Sequence, residues 1–254
     1  MSSREERVKK RKRRKQNKEF AKAQENYSSE KGKRSQKIAQ KENKDHYHNR
    51  VKFIDYCKDK NVLIIGNSNN MIRKPHREEV DSYDVVVRMS KGALKPENYE
   101  FLGTKTSLWV LAKGHLSYLA RESGEDFFRS EFFGFIYGRR IHDHLGKQKL
   151  AKKIRDRLFV METPRSRLKG IKRTGIPVPS TGLAAIDFFM EHVSEARSIN
   201  LMGFDFFSCG PKHDGDRAKS FYESCGIYRN HDSELEKEYI LGLQEQGKLK
   251  VLEF

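Results

Sequence analysis

The sequence predicts an α/β domain with a mainly parallel central sheet, carried behind a basic N-terminal tail. Three observations lead there. Short runs rich in β-branched residues alternate with helical patterns from residue 51 onward, the signature of a parallel sheet covered by helices. The first of these runs, Val62-Leu63-Ile64-Ile65, is apolar throughout and stops at Gly66-Asn67-Ser68, as a buried strand does when it delivers a loop at its carboxyl end. The third observation is a shift in composition near residue 50. Residues 1–50 hold 18 Lys/Arg against 7 Asp/Glu, a net +11 of the chain's +17.

The expected elements follow in order. Residues 1–50 form the tail, and residues 51–254 form one domain of about 200 residues, enough for a real core. Val62–Ile65 is the first strand. Glu78 to Asp81 ends a short polar connection to the second strand, Tyr83–Met89. Lys105–Leu111 and Phe132–Tyr137 supply two more strands. Lys147–Arg157 reads as a basic helix and Leu158–Met161 as a strand. Ala184–His192 is helical and Ser198–Met202 is a strand closed by Gly203-Phe204-Asp205. Ser233–Gln246 is a helix with Leu235, Tyr239, Ile240 and Leu243 on one face. Lys250–Leu252 reads as a last strand, and Trp109 and Phe127-Phe128 as core.

Composition narrows the function classes. Cys57, Cys209 and Cys225 are an odd number without Cys-x-x-Cys spacing, which argues against a disulfide framework or a zinc site and for a reducing compartment. The N-terminus lacks the apolar core of a secretory signal, and no run approaches the roughly 20 apolar residues of a membrane span. The expectation is a cytoplasmic protein, peripheral on the inner membrane face. Lys9 to Lys15 is almost unbroken Lys/Arg, and such a block stays extended or frays. It is a solvated tail or a patch for anionic membrane or nucleic acid, at about 1 kcal/mol per basic residue near an anionic surface. Nucleic acid is disfavoured because the basic residues lack regularly interleaved aromatics, with Phe20, Tyr27 and Tyr47 alone in residues 1–50.

Two segments carry the candidate chemistry. Gly66, Asn67 and Ser68 form a turn whose backbone N–H groups and small polar side chains suit a phosphate or nucleotide. Ser180, Thr181 and Gly182 do the same at a helix start: Ser180 or Thr181 is a good N-cap, Gly182 admits close approach, and the helix N-terminus favours an anion. Two such sites in one domain point to an enzyme that uses a nucleotide.

The motifs around them are more specific. Gly66-Asn67-Ser68 followed by Val80-Asp81-Ser82-Tyr83-Asp84-Val85-Val86-Val87-Arg88-Met89 resembles the long sialylmotif of glycosyltransferase family 29, the eukaryotic-type sialyltransferases. Pro179-Ser180-Thr181-Gly182 through Ile199-Asn200-Leu201-Met202-Gly203-Phe204 resembles the small sialylmotif. Phe221-Tyr222-Glu223 resembles the third motif, and His231-Asp232-Ser233-Glu234-Leu235-Glu236 the His-x-x-x-x-Glu of the very small motif. The four occur in family order.

The resemblance implies a Rossmann-like, GT-A-like fold and an inverting transfer of an acidic sugar from a CMP-activated donor to a glycan or glycolipid hydroxyl. No cofactor and no metal are implied, since the leaving group is a monophosphate that N–H groups and one or two side chains can stabilise. Asn67 is expected at the donor phosphate or ribose, Ser180-Thr181-Gly182 at the cytidine and phosphate, and Asp84 and Arg88 in holding the motif to the sheet. His231 is the candidate general base: a neutral imidazole accepts the acceptor proton near pH 7, and a following helix disfavours its protonated form. Glu236 is expected to orient a loop or cap.

There are departures. Ser220 stands where the family has a His, so His213, Lys212 or Lys219 is the substitute cation, with Tyr222 and Glu223 as motif support. The family's disulfide positions fall at Val62 and near Ser194, so that bridge is absent, which points to a bacterial or viral relative acting in polysaccharide biosynthesis. The donor is a sialic acid or a Kdo-like acid.

Rival readings rest on other residues. Asp214-Gly215-Asp216 has the Asp-x-Asp form that holds Mn²⁺ against a UDP- or GDP-sugar, or is a polar surface turn. His142-Asp143-His144 lacks a third ligand at useful spacing and reads as an exposed turn. Arg139-Arg140, Lys147–Lys153 and Arg165–Lys172 are basic clusters, either solvated faces or a surface for an acidic acceptor. A non-catalytic nucleic-acid- or nucleotide-binding protein is the remaining alternative.

Overall fold

Seven short strands pair into one open sheet. The computed structural model describes residues 44–89, 96–112, 120–121, 123–136, 153–161, 164–176, 179–204 and 232–252. The strands are β1 (Asn61–Ile65), β2 (Val85–Met89), β3 (Leu108–Leu111), β4 (Phe132–Phe135), β5 (Leu158–Val160), β6 (Ser198–Met202) and β7 (Lys250–Val251). Their order is β5-β4-β3-β2-β1-β6-β7 and every pairing is parallel. The order reverses once: β2 to β5 build outward from one side of β1, and β6 and β7 from the other. The Rossmann-like expectation holds.

The described helices are α1 (Lys44–Tyr56), α2 (Arg77–Ser82), α3 (Tyr99–Leu102), α4 (Glu125–Phe128), α5 (Pro164–Thr174), α6 (Thr181–His192) and α7 (Ser233–Glu245). They cover the sheet on both faces, which explains why β1 and β2 are apolar runs rather than alternating ones. Val62, Ile64, Val85, Val87, Leu108 and Val110 share a cluster with Phe53 of α1, Leu183, Ile186 and Phe189 of α6, and Ile240 and Leu243 of α7. The alternate residues Leu63, Ile65 and Val86 pack with Met71 and Val80 of α2. Trp109, Leu111, Phe133 and Phe135 pack with Phe127 of α4. Trp109 and Phe127 are core as expected, and Phe128 stands edge-on to Phe127, half-buried.

One expectation needs correction, and the helices add detail to others. The polar connection at Glu78–Asp81 is helix α2, which buries a single residue, Val80. The basic cluster at 165–172 lies on helix α5, whose Arg173 forks onto Asp187 of α6 at 2.8 and 2.7 Å. Helix α1 crosses the boundary set at residue 50: buried His46 and Asn49 both reach the carbonyl of Leu158 on β5, at 2.9 and 3.0 Å. Of the helix expected over 147–157, the described end finishes in a 3₁₀ turn at Arg155–Arg157. No helix among the described residues is long and apolar enough to cross a membrane.

Candidate active site

In an open parallel sheet the crevice for a ligand lies beyond the carboxyl ends of the strands where the order reverses. Here that place is the pair β1 and β6. The chain leaves β1 through Gly66-Asn67-Ser68 and leaves β6 through Gly203-Phe204. The two exits are tied together. Gly66 N donates to Met202 O at 2.7 Å and Ser68 N to Gly203 O at 3.1 Å. A Cβ on Gly66 would lie 2.1 Å from Gly203 O, so only glycine permits this approach. Gly203 itself has φ +75°, and its missing Cβ makes room for Met71. Asn67 stands exposed at the tip, while Ser68 is buried.

Helix α6 brings the second segment to the same place. Ser180 is its N-cap, with its hydroxyl accepting from Leu183 N at 3.1 Å. The ring of Phe204 lies between the two segments. A Cβ on Gly66 would come within 3.2 Å of its Cδ2, and one on Gly182 within 3.1 Å of its Cε1. Gly66 and Gly182, one from each segment expected at the donor, thus meet the same aromatic ring at the reversal of strand order, with Asn67, Ser68, Ser180 and Thr181 next to them in the chain. The sequence reading did not single out Phe204 for the site, although a Gly-aromatic pair directly after a strand is the same signal as Gly66-Asn67.

Glu236 is buried in the first turn of α7, and its carboxylate faces Ser180. Oε1 accepts from Ser180 N at 2.7 Å and Oε2 from Ser180 Oγ at 2.6 Å. Both donors of Ser180 are therefore engaged within the protein. The N–H groups of Thr181 and Gly182 precede the first backbone-bonded turn of α6, whose first such donor is Ala184 N. Asp232 caps α7 through its Oδ1 on Leu235 N at 3.3 Å. His231 stands one residue before that cap and lies outside the described residues, as do His213, Lys212, Lys219, Tyr222, Glu223, Asp214, Asp216 and His142 to His144.

Asp84 and Arg88 serve the sheet. Asp84 Oδ2 accepts from Asn61 N at 2.8 Å, at the opposite end of β1 from the site. The Arg88 side chain is buried and donates to Leu102 O, Lys105 O and Thr106 Oγ1 at 2.7–3.2 Å. Burial pushes its guanidinium down to about 10, still cationic at neutral pH. Asp81 holds the same connection by accepting from Thr104 N and Lys105 N. Among the described residues no three His, Cys, Asp or Glu side chains converge as a metal-binding group.

No family model matches the chain, and no curated protein does. Solved structures do. A mammalian sialyltransferase in complex with Gal-beta-1-3GalNAc-ortho-nitrophenol matches at a TM-score of 0.55 and 18% identity, over 76% of this chain and 68% of that one. A second structure of a mammalian sialyltransferase matches at 0.52 and 19% identity, over the same shares. At such identity the likeness establishes a shared fold.

Proposed function

We propose that the protein is an inverting glycosyltransferase that moves an acidic sugar, sialic acid or a Kdo-like acid, from its CMP-activated donor to a glycan or glycolipid hydroxyl. One observation carries the reading: the Gly66-Asn67-Ser68 turn and the start of α6 converge on Phe204 at the reversal of strand order. The sialyltransferase-like fold and the ordered sequence motifs support it.

The roles follow from the chemistry. The leaving CMP carries a single phosphate, whose charge can be met by the N–H groups of Thr181 and Gly182 and the amide of Asn67. Such a site needs no divalent cation. Ser180 is spent on Glu236 and Leu183 and shapes the loop rather than donating to the phosphate. His231, just ahead of the N-terminus of α7, takes the proton from the acceptor hydroxyl as the oxygen attacks the anomeric carbon from the face opposite CMP. The reacting carbon passes through an oxocarbenium-like state, and attack from the opposite face inverts it. His213 or Lys219 replaces the cation that Ser220 does not supply. The basic residues 1–50 concentrate the enzyme at an anionic inner membrane face, where a lipid-linked acceptor resides.

Thermal stability with CMP, UDP, GDP and ATP, each with and without EDTA, tests this. CMP alone should stabilise, by about 2.7 kcal/mol at a hundredfold excess over its dissociation constant, and EDTA should change nothing. CMP-sialic acid and CMP-Kdo turnover then identify the donor. An EDTA-sensitive shift with UDP or GDP would refute the proposal and move the chemistry to Asp214 and Asp216. No shift with any nucleotide would favour a binding protein or a decayed enzyme.

A further inference from the structure

We propose that the folded domain carries a basic docking face, built from α1 and residues 153–174, that lies against an anionic lipid bilayer together with the N-terminal segment. The inference rests on the membrane role proposed above for residues 1–50 and is independent of the chemistry at the crevice. It starts from where the charge is. Residues 153–174 hold eight Lys/Arg against two acids, Asp156 and Glu162, a net +6. Residues 1–50 hold +11 of the chain's +17, so these two segments account for all of it, and the charges of the remaining residues cancel.

The fold brings the two segments together. Helix α1 includes the last residues of the first segment, and its buried His46 and Asn49 both bond to the carbonyl of Leu158, inside the second, at 2.9 and 3.0 Å. Farther along α1, the Arg50 guanidinium lies over the Phe188 ring of α6, 5.2 Å from its centroid, and feels the charge of Glu191. Arg173 of α5 reaches the same Glu191 at 3.2 Å and forks onto Asp187. Asp187 and Glu191 are thereby neutralised, while Lys153 ahead of β5 and Lys169 and Lys172 on α5 stand exposed.

Charge alone does not choose among polyanions, but Tyr47 does. Among the described residues it is the most exposed large apolar side chain, at 68%, and the one exposed aromatic. It sits on α1 between His46 and Asn49, beside the contact that joins the two basic segments. An exposed tyrosine within a basic face suits the headgroup zone of a bilayer, which accepts an aromatic body with a polar tip while the anionic surface attracts the cations. A single-stranded nucleic acid asks instead for successive stacking rings. Thr174 at the end of α5 and Ser180 at the cap of α6 are six positions apart, at most about 22 Å of chain, so docking by this face brings the crevice close to a lipid-borne acceptor.

The test sediments the full chain with phosphatidylcholine vesicles, with and without phosphatidylserine. One variant changes Lys153, Lys169 and Lys172 together to Gln. A matched variant changes Arg73, Lys74 and Arg77 to Gln; these are exposed on the opposite face of the sheet, where Met71 and Val80 pack. The first should lose about 30- to 100-fold in affinity for the anionic vesicles, at about fivefold per basic residue, and the second less than about threefold. Tyr47→Trp places a reporter in the face, against a constant background from the fully buried Trp109. Its emission should shift to the blue on anionic vesicles and be quenched by lipids brominated in the acyl chains. Near-UV circular dichroism checks that each variant is folded, and the Tyr47→Trp readout decides alone if the first triple variant is not. No loss in the first triple variant, equal losses in both, or a residue 47 that stays in water on bound vesicles would overturn the proposal and leave residues 1–50 alone at the membrane. A parent that ignores anionic vesicles would overturn that role as well. Single-stranded RNA bound more tightly than the vesicles, and released by the first triple variant, would overturn it in favour of nucleic acid. The vesicle readouts need no nucleotide, so a failure of the transferase reading shows separately, as a parent that does not bind CMP in calorimetry.

Discussion

Replacing Gly66 by alanine tests the closest backbone approach at the site. The new Cβ would meet Gly203 O at 2.1 Å and Gly203 C at 2.7 Å, with Phe204 Cδ2 at 3.2 Å. Normal carbon contacts need about 3.5 Å, so the two strand exits must separate by about 1 Å or more. Neither neighbour is the far end of a flexible side chain, so nothing can swing aside cheaply. Separation weakens the bonds from Gly66 N to Met202 O and from Ser68 N to Gly203 O, each worth about 1 kcal/mol. Overpacking of this kind adds about 1–3 kcal/mol. The expected cost is about 2–4 kcal/mol, which for a domain of this size lowers Tm by about 5–15 °C. Urea titration should show a lower midpoint with an unchanged slope. CMP binding should fall beyond what the folded fraction explains, because the turn that presents Asn67 has moved. Gly242→Ala is the paired control. Gly242 sits within α7 with no atom within 4 Å of a built Cβ, so alanine there should stabilise by about 0.5–1 kcal/mol through helix propensity. A Gly66→Ala protein within about 0.5 kcal/mol of the parent would refute the packing argument.

Three further outcomes follow. Asn67→Ala should weaken CMP binding about tenfold with Tm unchanged, because the side chain is exposed and its value lies in one hydrogen bond to the ligand; calorimetry and a melting curve together check this. Arg88→Met should destabilise by about 2–4 kcal/mol in urea titration, since it removes every bond of a buried guanidinium to the half-buried acceptors on Leu102, Lys105 and Thr106. The His192 imidazole is held below its usual range, first by burial and then by the nearby Arg50 and Arg173 against the opposing Glu191 and Asp187. The unfolded chain therefore takes up that proton first as pH falls below about 6.5, so this contribution to stability is present above that pH and is lost as pH drops toward the folded value. His192→Gln should flatten the slope of urea-derived stability with pH over that interval, and an unchanged slope would refute the assignment.

The strands β1 to β5 were legible because each is dominated by a short apolar run, and β6 occupies the expected Ser198–Met202. The helices were less so, for a common reason. Helix α2 buries only Val80, so it has no apolar stripe to read. Helix α1 places His46 and Asn49 inward as donors to one β5 carbonyl, and polar residues on an inner face look like a continuation of the tail. Helix α5 holds α6 through the Arg173 fork, which in sequence is one more basic residue in a cluster. The turn at Gly66 and the N-cap at Ser180 are local signals and could be read locally. The pairing of Ser180 with Glu236 is not local: no periodicity links a cap serine to a glutamate in another helix.

The geometry also divides the motif residues by task. Ser68 and Ser180 are buried, Glu236 and Asp232 are engaged at helix starts, and Asp81, Asp84 and Arg88 bind backbone groups of neighbouring elements. These residues have spent their hydrogen-bonding capacity, wholly or in large part, on the fold. Asn67 is exposed, and Thr181, Gly182 and Phe204 are half-buried around the crevice. A polar residue in a motif is therefore weak evidence for ligand contact when its donors and acceptors are already used. The stronger evidence is a polar group held at the reversal of strand order by neighbours that carry the structural load. By that criterion the proposed CMP-sugar donor would be met by a small set, Asn67 and the N–H groups of Thr181 and Gly182, with the ring of Phe204 behind them. Asp81, Asp84, Arg88 and Gly66 hold the strands and loops beneath that set, so a change at Gly66 should lower CMP binding without removing a group that would touch the ligand.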